Sequence, residues 1–158
     1  MPAAQIVEPA ADSVQFDSQA LWLALAPRRA WAGAEVLVVR GDGGREWLAD
    51  TLREHGARVH NLVAYRRVAP VLDASARELM RAALAEPHAW LWFFSSSEAI
   101  DHLEALAGVP AGAGWSRVAA LATHPRIADR ARALGCARVA LARPALADVI
   151  ACIQSSAP

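Results

Sequence analysis

The sequence predicts a parallel, doubly wound α/β architecture, and three observations lead there. Short β-branched apolar runs alternate with amphipathic segments along almost the whole chain. Some runs, such as AEVLVV at residues 34–39 and AWLWFF at 89–94, are apolar without alternation. That is the mark of a strand buried on both faces of a parallel sheet. Glycines also stand just beyond helical stretches, at 56, 108 and 135, where a left-handed residue closes a helix.

Taken in order, AQIV (residues 4–7) is the first strand candidate, and FDSQALWLALA follows as a helix capped by Asp17 or Ser18. After the strand at 34–39, a helix over roughly 44–55 places Trp47, Leu48, Thr51 and Leu52 on one face. ARVHNLVAYRRV is the next strand. Ser75 and Glu78 fit a capping box for a helix that ends before Pro87. Ser95 and Glu98 offer a second box after AWLWFF, opening a helix that ends at Gly108. RVAALA is a strand, THPRIADRARALG a turn and helix, ARVALA a strand and PALADVIACI the final helix. The opening stretch, AQIVEPAADSVQFDSQALWLAL, echoes the closing one, ARVALARPALADVIACI. The chain therefore reads as opening on the last unit of an α/β repeat whose earlier units are missing.

Composition narrows the function classes. The 158 residues suffice for one domain or two small lobes, and a hydrophobic content of 55% against 20% charged marks a globular chain. Sixteen basic and sixteen acidic residues cancel, so no broad cationic field draws nucleic acid or an anionic membrane. No lysine is present, which excludes Schiff-base chemistry. Cys136 and Cys152 form neither a disulfide framework nor a zinc spacing, and both are expected as core thiols. His55, His60, His88 and His102 lack ligand spacing and are expected to be solvated. The N-terminal residues have no basic segment followed by a long apolar run, so a cytoplasmic location is the default expectation.

The stretch VVRGDGGREWLADTLREHGARV carries the most chemistry. A dinucleotide fingerprint needs a third glycine where Glu46 stands, and an acidic side chain there repels a pyrophosphate. Without lysine no P-loop exists. Two readings remain open. One is a tight strand-to-helix turn. The other is a carboxylate site, in which the free first-turn N–H groups and the helix dipole contribute roughly 0.3–1 kcal/mol. Arg40 or Arg45, beside Gly41, adds a charge-assisted bond in that second case. A non-catalytic module for a small anion or nucleotide is the alternative function; it predicts saturable binding of NADH or ATP.

In order and spacing, VLVVRGDGGREWLADTLREHGARVHNLVAYRR, WLWFFSSSEAIDHL, RVAALATHPRIADRARALG and ARVALARP resemble the later part of uroporphyrinogen-III synthase, the tetrapyrrole-pathway cyclase. The resemblance implies two α/β lobes, one inserted into the other, with the substrate bound between them. Residues 1–66 then correspond to the later part of the inserted lobe and 67–158 to most of the second. About one domain's worth of upstream chain, roughly 100 residues, is expected to be absent, leaving the fold incomplete at its N-terminus. On that basis the 158 residues alone are expected to be inactive and prone to self-association, although the family is usually monomeric.

The implied chemistry is that of a hydro-lyase of haem biosynthesis. Hydroxymethylbilane, a linear tetrapyrrole rich in carboxylates, loses water and closes with inversion of its last pyrrole ring. The pathway runs through an azafulvene and a spiro-pyrrolenine, without metal or organic cofactor. Tyr65, the only tyrosine, matches the tyrosine proposed to assist departure of the hydroxyl. A phenol keeps its proton at neutral pH and can donate it; packing at a strand end is the other role open to Tyr65. Ser95, Ser96 and Ser97 match a serine-rich turn that faces substrate, and helix capping alone also accounts for them. No G-x-S-x-G elbow surrounds them, which excludes a serine hydrolase. ATHPRIA departs from the family pattern, in which a threonine faces the substrate. Aligned on Pro125, that threonine's role passes to Thr123, His124 or Arg126.

Overall fold

A computed structural model describes residues 6–10, 13 and 15–156. The chain divides into two compact units, Met1–Arg67 and Val68–Pro158.

The first unit opens its regular structure with α1 (Ser18–Leu25). Asp17 caps it, its carboxylate accepting from the N–H groups of Gln19 and Ala20 at 3.0 and 3.1 Å. β1 (Glu35–Gly41) leads through the glycine turn into α2 (Trp47–Glu54), and β2 (Arg58–Tyr65) returns parallel to β1. The helix starts three residues later than the apolar periodicity predicts, because Gly44 has a φ of +97°, outside the helical region. Thr51 and Leu52 are buried as expected, and Ala49 joins them. Alternation along β1 puts Val36 and Val38 on the face covered by Trp22, Trp31, Leu48 and Leu52. Leu37 and Val39 project to the other face and are 60% and 59% exposed.

The strand expected at residues 4–7 lies partly outside the described residues; Ile6 and Val7, within them, are not in a strand. An apolar run supplies strand propensity, but a strand also needs a ladder partner.

In the second unit α3 (Ala74–Ala85) precedes a three-stranded parallel sheet, β3 (Leu91–Phe94), β4 (Ala119–Ala122) and β5 (Arg138–Leu141), in that spatial order. The crossovers are α4 (Ser97–Ala107) and α5 (Pro125–Leu134), and α6 (Leu146–Ser156) closes the chain. Trp92, Phe94, Ala120, Ala122 and Val139 share a core with Ile100, Trp115, Ile127, Ala131, Leu134 and Cys136. Trp115 is fully buried, and its indole N–H donates to the Val109 carbonyl at 3.1 Å. Cys136 is buried there, whereas Cys152 is half-buried on α6.

Both capping boxes are corrected. Asp73, not Ser75, caps α3, its carboxylate accepting from the Ala76 N–H at 2.8 Å. An aspartate two residues upstream is as good a cap as serine and reaches a free N–H group of the first turn. At α4 the cap position falls on Ser96 rather than Ser95, and its side chain makes no capping bond. Both corrections come from where the chain first turns helical.

Candidate functional site

Ligands of open α/β sheets gather outside the carboxyl ends of the strands. Each unit carries one group of the candidate residues at such an end.

In the first unit the group is built on the ends of β1 and β2. The parallel register breaks between Arg40 and Gly41, so Gly41 lies opposite Tyr65 instead of Ala64. The Tyr65 carbonyl accepts from the Asp42 N–H at 3.0 Å, which ties the strand end down. Gly41 is buried beneath the tyrosine ring. A Cβ at this position would lie 2.8 Å from Cε2, 3.0 Å from Cζ and 3.3 Å from the phenol oxygen. The glycine is thus needed for space, since only a bare α-carbon lets the ring settle there.

Arg40 faces the turn that follows. Its guanidinium donates to the carbonyls of Gly43 and Gly44 at 3.1 and 2.9 Å and to the Glu46 carboxylate at 3.2 Å. The glycine turn is closed by a side chain of the strand that leads into it. Arg45, at the tip, is exposed.

One functional candidate went unnoticed in the sequence. Arg67 donates from Nη2 to the Tyr65 phenol oxygen at 2.8 Å, and its Cζ sits 4.9 Å from the ring centroid. That distance is within cation–π range. The signal was present in YRR, because residues two apart on an extended chain project to the same side. Tyr65 itself is 49% exposed, so the residue stays half-open to solvent.

In the second unit, Phe94 pairs with Ala122, so Ser95 and Thr123 leave neighbouring strand ends. The structure brings the serine turn and the Thr123–His124–Arg126 turn side by side at the carboxyl ends of β3 and β4. Ser95 is exposed, and Ser96 and Ser97 are partly buried at the start of α4. His124 caps α5, with Nδ1 accepting from the Arg126 N–H at 3.1 Å. A ring nitrogen that accepts from a backbone amide carries no proton of its own. Thr123 is partly buried and Arg126 exposed.

His60 lies further back along β2, paired with Glu35 at 2.7 Å. That bond, with Arg58 adding its charge, holds the Glu35 carboxyl below the usual range. Among the described residues no helix is long and apolar enough to cross a membrane.

The sequence model of the family described as uroporphyrinogen-III synthase HemD matches residues 6–151, and it spans both strand-end groups. Covering more than half of the chain, the match places it: the chain belongs to the uroporphyrinogen-III synthase family, with a role in haem and tetrapyrrole biosynthesis.

Proposed function

We propose that the chain serves the cyclisation of hydroxymethylbilane to uroporphyrinogen III, with loss of one water and inversion of the last pyrrole ring. One observation carries the assignment to residues: the only tyrosine, Tyr65, presents a half-open phenol at a strand end, seated on Gly41 and held by Arg67. In the reaction the terminal C–O bond breaks with its electron pair on oxygen. Tyr65 supplies the proton that completes the departing water. The proton released from the last pyrrole carbon on closure restores the phenol, so water is the net loss. Ser95, Ser96, Ser97, Thr123 and Arg126 follow the carboxyl ends of β3 and β4 with hydroxyls and a cation suited to substrate carboxylates, and Arg45 offers a second cation. His124 holds the start of α5 beside them. Arg40 keeps the glycine turn in shape, and Gly41 makes room for the ring.

The test has two arms. Freshly generated hydroxymethylbilane is supplied and the type I and type III products are separated; Tyr65→Phe, which keeps the ring and loses the hydroxyl, lowers type III formation about 100-fold. Tryptophan fluorescence then follows titration with a tetrapyrrole polyacid, with NADH and with ATP. Saturable binding of the tetrapyrrole alone is the expected pattern. Type III product from the 158 residues supports the assignment and removes the expectation of inactivity. A chain that neither forms it nor binds the tetrapyrrole overturns the assignment, and saturable nucleotide binding favours a nucleotide module instead.

A further inference from the structure

We infer that Arg67 is a positioning residue that fixes which way the Tyr65 hydroxyl points; the inference rests on the reaction assigned above. A guanidinium has donors and no acceptor. In the 2.8 Å contact between Arg67 Nη2 and the phenol, the phenol oxygen is therefore the acceptor. The hydroxyl hydrogen must lie along another direction, away from Arg67. Three further contacts leave the ring little choice of place. Its underside rests on the bare α-carbon of Gly41, the Asp42 N–H holds the Tyr65 carbonyl at 3.0 Å, and the guanidinium covers the ring at 4.9 Å.

The consequence for a proton donor is direct. A phenol with its oxygen engaged from one side offers its proton to whatever group approaches the open side. The bond from a cation is also charge-assisted, so it favours the negative charge that develops on the oxygen as the proton leaves. Arg67 then acts through Tyr65 and touches no substrate itself. The register break at Gly41 belongs to the same device, because it sets the ring over a residue without a side chain.

Tyr65 is the only tyrosine, so the tyrosine doublet in ultraviolet resonance Raman spectra reports one phenol. The wild-type chain should show the signature of an oxygen that accepts a strong hydrogen bond. Arg67→Ala should shift it to that of a water-solvated phenol, Arg67→Lys should keep it in part, and Arg45→Ala should leave it unchanged. Type III formation in Arg67→Ala should fall on the order of tenfold in kcat with KM unchanged, the size expected for one charge-assisted bond. A doublet unchanged by Arg67→Ala overturns the inference whatever the activity. A lost signature with kcat untouched overturns the positioning role and leaves the assigned reaction standing. The signature is read without substrate, so it decides the orientation even where the chain binds tetrapyrrole without turning it over. Gly41→Ala is a poorer probe, because a displaced ring and a disturbed strand end would look alike.

Discussion

Gly135 offers a sharp test of the second unit, because two costs meet at one α-carbon. The residue ends α5 with a φ of +117°, where a side chain is strained whatever the space. A left-handed conformation costs an L residue about 1–2 kcal/mol. A Cβ there would also lie 3.0 Å from both the α-carbon and the nitrogen of Gly112, and 3.2 Å from the Trp115 Cβ. Those neighbours are not free to retreat. The Gly112 N–H donates to the Leu134 carbonyl at 2.7 Å, and Trp115 is buried and bonded to Val109. Overpacking of this kind costs a further 1–3 kcal/mol or so, which puts Gly135→Ala at about 2–5 kcal/mol. Gly108, at the end of α4, is the control: its φ is +62°, and nothing lies within 4 Å of a built Cβ. Gly108→Ala should cost only about 1–2 kcal/mol. In urea, with a slope of about 2 kcal/mol per molar, the Gly135 variant should lose roughly 1–2.5 M in midpoint, clearly more than its control. Equal midpoint shifts would refute the close approach of the Gly112 loop to the end of α5.

Arg130 bridges α5 to α4 through 2.7 Å contacts with Asp101 and Glu104, and Glu104 also accepts from the Ala111 N–H. These bonds, the one to Glu104 foremost, raise the guanidinium above its ordinary range. Arg130→Met should cost about 1–2 kcal/mol, since two acids one turn apart lose their shared cation; a double-mutant cycle with Glu104→Gln should show clear coupling, and strict additivity would sink the bridge. Burial pushes the Cys136 thiol above its ordinary value. The native state therefore binds more protons than the unfolded chain at high pH, and stability falls as pH rises through the free-thiol range of about 8–9. Cys136→Ala should flatten that fall in a pH series of urea titrations. A thiol reagent added to the native chain should label Cys152 well before Cys136.

Much of the fold was legible because parallel strands leave continuous apolar runs, and helices leave a period and a closing glycine. Gly108 and Gly135 end α4 and α5 as the sequence indicated, and Asp17 caps α1. Caps at α3 and α4 were misplaced by one or two residues. Several polar side chains cluster at each start, and only the backbone path decides which one reaches a free N–H group. The glycine turn was legible as an exception to the dinucleotide pattern. Its physical cause was not, because the contact that requires Gly41 comes from Tyr65 on the neighbouring strand and depends on a register break. No local pattern announces a one-residue slip between strands. Arg40 was legible as a cation near the turn, but not as the group that closes it from within.

Among the described residues the hydrophobic clusters differ in weight: eleven buried residues form one in the second unit, while Ala34, Leu52 and Ala57 form the one in the first. Few buried contacts leave a region at the low end of a protein's spread of opening free energies. The tyrosine thus stands on the thinner foundation. Any molecule that grips the ends of β1 and β2 would quiet that half more than the other, so occupancy there is linked to protection of its backbone amides against exchange with solvent.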